Sequence, residues 1–361
     1  MFSCFLSLKF IDKAPINTRR IAVLVCAAML LFSLPAGCSE KGQSGLPLAG
    51  KKFAIVVKSE GNPYFETIVR GFSAVIESQG GAPVVKAPSQ ATAEGQITIV
   101  NNLISDKADC IAIATNSESA TAPALMKAME QGIPVLSFDS AAAPSSRVLH
   151  INQADADCIA RALMDAAADI TGGSGQIAIM STTNQAHNQN TWIAGMRALL
   201  EAREYPGLVL VNIVYGEDDY QKTYEKTQYL IDTYPELTVI IAPTAAGIPA
   251  VAACITDNGA GGRIKVTGLG MPSQMARFIG NDNVCPYMFL WDPEELGKLT
   301  AYVAIALVNG SITGAVGETL PADGETEYII TRDAFGGSEI VLQAEPVRFD
   351  GDNIGYWKDI Y

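Results

Sequence analysis

The 361 residues include only two histidines, His150 and His187. A histidine metal centre would have to use both, and a Ser/His or Cys/His mechanism has only these two candidate bases. His187 has no carboxylate or nucleophile motif beside it and reads as a loop residue. Neither a metal nor a cofactor is expected. Hydrolysis of a glycoside needs two carboxylates facing one bond. Asp139 and Asp292 are the pair the chain nominates, and nothing in the sequence sets their separation. Gly172-Gly173-Ser174-Gly175 precedes a strand rather than a helix, so it is no phosphate loop. What remains is the chemistry of binding. Lys58, Asn116, Asp139, Asn188 and Gln189 offer charged and amide groups, Pro243 and Ala245 flank a turn, and Tyr64, Phe65 and Trp291 offer flat rings. A polyhydroxylated ligand needs that mixture. Each hydroxyl loses water on burial and must regain donors and acceptors, charged partners give the stronger bonds, and a C–H face needs an apolar plane.

These residues stand at the ends of regularly spaced elements. Residues 51–59 form a continuous apolar strand. Asn62 caps the helix that follows and Pro63 suits its first turn; Phe65, Ile68, Val69, Phe72 and Ile76 recur at helical spacing until Gly80-Gly81. Strands at 82–88, 108–115 and 133–139 alternate with helices near 93–106 and 118–131. The second half repeats the pattern, with strands at 175–182, 208–216, 237–244 and 264–270 and helices at 189–204, 220–234 and 246–258. Strands apolar throughout, alternating with amphipathic helices, imply parallel sheets covered on both faces. Two such series imply an α/β protein of two Rossmann-like lobes. Segments 148–153 and 287–292 and the hairpin-like tail 325–350 read as chain crossings. Ligands of such sheets bind beyond the carboxyl ends of the strands, where Lys58, Asn116, Asp139, Asn188, Gln189, Pro243, Ala245 and Trp291 fall. Tyr64 and Phe65 share the first helical turn, so one of the two is expected to touch ligand. Trp192, inside a helix, reads as core. Asn188 and Gln189 read equally as helix caps.

Charged residues are 17% and hydrophobic residues 48%, which excludes a disordered chain. The formal charge of −13 leaves no basic field for a phosphate backbone, so nucleic acid is not an expected partner. Arg19-Arg20 precede an apolar run at 21–37 that is too short and badly flanked for a membrane span and reads as the core of a secretory signal. Its end, Ala36-Gly37-Cys38, resembles a bacterial lipobox, in which Cys38 would be lipidated; Pro35 stands where such boxes carry Leu. Ordinary cleavage after Ala36 or Gly37 is the other reading, and both export the protein. With the leader's net +3 removed from −13, the remainder carries −16. Cys110, Cys158, Cys254 and Cys285 have apolar or small neighbours and no CxxC spacing, so buried thiols are expected. The expected organisation is a signal peptide at 1–37, a lipidated N-terminus and tether at 38–50, an N-terminal lobe of 51–152 with 291–322, and a C-terminal lobe of 153–290 with 323–361. The lobes would close about crossings near 150–154, 290–293 and 320–325.

The stretches VVKSEGNPYF, AEGQITIVNNLIS, ADCIAIAT, KAMEQGIPVLSFDS, INQA, NQNTW, YPELTVIIAPTAAGIPA, VTGLGMPSQM and FLWDPEELG run collinearly through most of 52–310. In them the chain resembles the type I periplasmic-binding-protein superfamily of sugar ABC importers, and within it the rhamnose-binding and autoinducer-2-binding receptors. In receptors of the autoinducer-2 type a lysine after the first strand binds ligand, which implies that role for Lys58. The aspartate of S-F-D-S implies Asp139, the Pro-x-Ala backbone implies Pro243 and Ala245, and the aromatic pair falls on Tyr64 and Phe65. An Asp-Gln pair before N-x-W falls on Asn188-Gln189, so an amide replaces the acid. An amide keeps an acceptor, adds donors and removes a charge. NQNTW and APTAAGIPA lean toward the rhamnose type. The resemblance therefore implies a non-enzymatic, monomeric, extracytoplasmic receptor that touches the membrane only through its lipid. It would hand rhamnose or a related deoxy-sugar to an ABC permease and its ATPase. Autoinducer-2 or another monosaccharide is the alternative ligand. An exported carbohydrate-active enzyme and a sensor for a chemoreceptor or kinase are the rival classes.

Overall fold

A computed structural model describes residues 47–322 and 326–361. The signal segment and Cys38 lie outside the described residues. The first series runs β1 (Lys52–Val56), α1 (Pro63–Ser78), β2 (Ala82–Lys86), α2 (Ala93–Ser105), β3 (Cys110–Ile113), α3 (Glu118–Glu130), β4 (Val135–Phe138) and β5 (Leu149–Ala154). The second runs α4 (Ala156–Thr171), β6 (Ser174–Ser181), α5 (His187–Glu201), β7 (Gly207–Tyr215), α6 (Tyr220–Thr233), β8 (Leu237–Ala242), α7 (Ile248–Asp257), β9 (Lys265–Gly268), α8 (Pro272–Met275) and β10 (Tyr287–Leu290). The chain then forms α9 (Pro293–Asn309), β11 (Thr319–Pro321), β12 (Glu327–Ile329), β13 (Thr331–Arg332), β14 (Ser338–Gln343), β15 (Val347–Asp350) and α10 (Ile354–Trp357).

Two α/β lobes result. One sheet has the order β13-β14-β5-β4-β3-β1-β2 and the other β7-β6-β8-β9. All pairs are parallel except β13 with β14. The apolar text of β1 after Lys52 has a direct cause. Phe53, Ile55 and Val57 enter one core while Ala54 and Val56 enter another, between the sheet, α2 and α3. A strand covered on both faces has no polar phase. Asn62 does cap α1, accepting the Tyr64 N–H at 3.1 Å, and Asp292 caps α9 by accepting the Glu294 and Glu295 N–H groups. Cys110, Cys254 and Cys285 are buried free thiols; Cys158 is half-buried and also unpaired.

The tail departs from expectation. Of the segment 323–361 expected in the C-terminal lobe, the described residues 326–361 do not go there together. β14 pairs in parallel with β5, Ile340 beside Ile151, and β13 folds back on β14. The first sheet would otherwise end in the open edge of β5, and β14 satisfies it. β15 and the residues after it return to the second half: β15 pairs with β10, whose Phe289 bridges to Leu269 beyond β9, and the Ser273 N–H donates to the Tyr361 carbonyl. The third crossing thus lies between β14 and β15, at 344–346, rather than near 320–325. It runs beside the first crossing, where the Asp155 N–H donates to the Ala344 carbonyl.

α9 packs on α1 and keeps the first lobe's outer face closed. Here glycine is required: a Cβ on Gly297 would stand 2.0 Å from the Ile68 carbonyl oxygen, and one on Gly71 would stand 2.2 Å from that of Glu294. Gly297→Ala will force the helices apart and cost about 3 kcal/mol, read as a lower urea midpoint. An unchanged midpoint would show that the helix pair tolerates separation.

Candidate functional site

The carboxyl ends of both sheets face a small cavity of about 40 Å³. Asp139, just beyond β4, is its hub. Its backbone is left-handed, φ +57°, and its N–H donates to the Ile151 carbonyl at 3.2 Å. That conformation costs a non-glycine residue about 1–3 kcal/mol and persists where the surroundings enforce it. Three donors converge on its carboxylate. The Tyr64 hydroxyl donates to Oδ1 at 2.9 Å, Asn188 Nδ2 donates to Oδ2 at 3.2 Å, and Lys58 Nζ stands 3.7 Å from Oδ2. The side chains of Lys58 and Asp139 are only 7% and 5% exposed. Burial pushes the Asp139 carboxyl up from its ordinary value, and Lys58 and the Tyr64 hydrogen bond pull against that rise. Burial and the Asp139 charge push the Tyr64 hydroxyl well up.

The rings form one wall. Trp291, at the second crossing, donates Nε1–H to the Tyr64 hydroxyl at 2.8 Å and lies 5.9 Å from the Trp192 ring. Phe65 meets Tyr64 edge to face, and all four rings line the cavity. Both Tyr64 and Phe65 therefore reach it, where one had been expected. Trp192 is buried, as its helical position implied, and faces the cavity as well. Pro243, Thr244, Ala245 and Ala246, between β8 and α7, form the opposite edge.

Lys58, Tyr64, Phe65, Asp139, Asn188, Gln189, Pro243, Ala245 and Trp291 all line this space. Asn116 does not. Its Nδ2 donates to the Lys58 carbonyl at 2.9 Å and its N–H donates to Gln96 Oε1. It holds the backbone that carries Lys58, because its side chain folds under the end of β1. Gln189 lines the cavity while its Oε1 is taken by the Ser181 hydroxyl at 2.6 Å and the Thr182 N–H at 2.9 Å. Asp218, between β7 and α6, also reaches the cavity and was not anticipated; nothing in a run of three acids marks the middle one. Asp292 stays on the cap of α9 and outside the cavity lining, so it offers Asp139 no second carboxylate there. Among the described residues no group of three or more His, Cys, Asp or Glu is placed to hold a metal, and no helix is long and apolar enough to cross a membrane.

Contacts join the lobes across the cleft. Asn188 reaches Asp139, and His187 Nδ1 lies 2.8 Å from Glu118 Oε2. His187 thus opens α5 in contact with the first turn of α3, where the sequence suggested a loop residue. Its ring also meets Phe335 edge to face. His187→Ala will weaken ligand affinity by roughly two- to fivefold, the weight of one partly exposed polar contact. The comparison is calorimetric titration against the parent, and equal affinities would remove this contact from the closed form.

A family model described as "Periplasmic binding protein domain" matches residues 53–312. An ABC transporter solute-binding protein from Clostridium phytofermentas with bound L-rhamnose is 46% identical. It covers 87% of this chain and 100% of its own, with a TM-score of 0.85. A sugar ABC transporter protein from Actinomyces odontolyticus is 34% identical, covering 88% and 99%, with a TM-score of 0.68. LsrB from Clostridium saccharobutylicum in complex with AI-2 is 18% identical over 84% and 98%, with a TM-score of 0.78. That last likeness is one of fold alone.

Proposed function

The chain belongs to the periplasmic binding protein family, and on that premise we propose that it is the solute receptor of a sugar ABC importer. Its ligand in this reading is a neutral monosaccharide, with L-rhamnose or a related deoxy-sugar first. One observation carries it: a buried cavity between two lobes joins a charged hydrogen-bonding hub, Lys58 with Asp139 and Tyr64, to a wall of Phe65, Trp192 and Trp291. The 46% identity to a protein with bound L-rhamnose supports the choice of sugar. Lys58, Asp139, Asn188 and the amide of Gln189 would bond hydroxyls, the rings would cover the C–H face, and the Pro243–Ala245 backbone would close the remaining edge. Ligand bridging both lobes favours the closed form. A membrane permease would then take up the ligand unaltered, with an ATPase driving transport. Export, a lipid on Cys38 and a monomeric receptor belong to the same reading, and no catalytic step is part of it.

Autoinducer-2 is the second ligand reading, because Lys58, Asp139, Pro243 and Ala245 share one cavity. A thermal-shift panel of L-rhamnose, other monosaccharides and autoinducer-2 separates the two. L-rhamnose at a hundred times its Kd adds about 2.7 kcal/mol by mass action and will raise Tm by roughly 5 °C. A shift with autoinducer-2 alone would move the assignment to the signal molecule. Turnover of an aryl glycoside that depends on Asp139 would replace the receptor by an enzyme.

A further inference from the structure

Glu217, Asp218 and Asp219 form the loop between β7 and α6, and each acid has a different task. Glu217 points outward and pairs with Lys222. Asp219 caps α6, its Oδ1 accepting the Lys222 N–H at 2.8 Å. Asp218 turns inward and lines the cavity that holds Lys58 and Asp139.

The fold insists on that inward turn. Glu217 and Asp218 are both left-handed, φ +57° and +54°, a region that costs non-glycine residues free energy. The Gly216 N–H donates to the Ser181 carbonyl at 2.9 Å and the Glu217 N–H donates to that of Thr182 at 2.7 Å. Gly216 is pressed onto α6 so closely that a Cβ would stand 2.1 Å from Thr223 Oγ1. Once there, burial pushes the Asp218 carboxyl up, with Lys58 pulling against that rise and the Asp139 charge adding to it. A second carboxylate so placed works against folding.

Lys58 is the one cation among the lining residues. We propose that Asp218 is a ligand-binding and selectivity residue, which together with Asp139 offers two carboxylates around Lys58 to the hydroxyls of a neutral sugar and turns sugar acids away. The inference rests on the sugar reading above. It also accounts for the amide at Asn188. An acid there would be a third carboxylate beside one ammonium, whereas the amide donates to Asp139 Oδ2. The second acid of the site comes from a different loop.

The test uses the whole protein with Asp218→Asn, which tolerates left-handed backbone, and Asp218→Gly. Each is titrated calorimetrically with L-rhamnose and with D-galacturonate, and melted without ligand. The parent will bind rhamnose and leave galacturonate unbound. Both variants will lose roughly tenfold to a hundredfold in rhamnose affinity, the loss of one charge-assisted hydrogen bond, and their preference over galacturonate will narrow. Ligand-free Asp218→Asn will melt above the parent, as expected where a residue is kept for function at a cost to stability. Parental rhamnose affinity in both variants would overturn the proposal, as would a lower melting temperature for Asp218→Asn. If the parent binds no sugar, the sugar reading fails by itself. A higher-melting Asp218→Asn would then still mark a residue held for a ligand, and a lower-melting one would overturn this inference too.

Discussion

Asp139→Asn will reduce L-rhamnose affinity by about a hundredfold to a thousandfold, the weight of a buried charge removed from its partners, about 3–4 kcal/mol. Asparagine keeps the size and tolerates the left-handed backbone. It fails on chemistry. Tyr64, Asn188 and Lys58 all present donors to this side chain, and an asparagine must turn its own NH2 toward one of them. The buried Lys58 ammonium also loses its nearest counter-charge. The fold will survive, because the carboxylate is there against the preference of its buried surroundings. Calorimetry on a variant with a parental circular dichroism spectrum measures the loss; unchanged affinity would remove Asp139 from the site. The raised Asp139 carboxyl adds a pH signature. Ligand affinity will fall on acidification, beginning above the ordinary carboxylate range. Stability without ligand responds with the opposite sign. Between the unfolded value near 3.9 and the raised folded value, the folded state binds the extra proton. This group's cost is therefore full above the folded pKa and vanishes below the unfolded one.

Asp333→Ala will destabilise the protein by about 3–5 kcal/mol, because it strands a buried guanidinium. Arg147 and Asp333 pair with side chains only 2% and 5% exposed. Arg147 also donates to the Ala142 and Ser338 carbonyls, and Asp333 Oδ1 accepts the Phe335 and Gly337 N–H groups. The pair clamps β13 and β14 to the edge of the first sheet. Burial alone would raise the Asp333 carboxyl; hydrogen bonds from Gly337, Arg147 and Phe335 hold it below the ordinary value. Its stabilisation is thus present above the unfolded carboxylate pKa and fades as pH falls through the lower folded one. Urea unfolding at neutral pH reads the loss. Hydrogen exchange will show it first in 331–343. A midpoint equal to the parent would mean that the tail is held by β-pairing alone.

Much of the architecture is legible in the chain. β1, β3 and β4 are apolar at all positions but Lys52 and Ser137 since both faces are covered, and Asn62-Pro63 marks the start of α1. The strand-end rule located Lys58, Asp139 and Pro243 because parallel strands share one direction, so their carboxyl ends gather on one side. Asn116 obeyed the same rule and still missed the cavity, since position at a strand end does not say where a side chain bonds. Trp192 carries helical periodicity, which marks burial and is silent about a cavity beside it. In 217–219 three like acids differ only in the direction the loop gives them.

The amino-acid sequence by itself determined two alternating α/β series and a cluster of polar and aromatic residues at their ends, because periodicity and caps are properties of neighbouring residues. Tertiary structure decided that β14 completes the first sheet, that Asn116 supports Lys58 from behind, and that Asp218 lines the same cavity as Asp139. Strand pairing over nearly two hundred residues, as between His150 and Glu339, and a left-handed turn pressed against Thr223 depend on what the folded chain brings alongside. No local pattern encodes those neighbours.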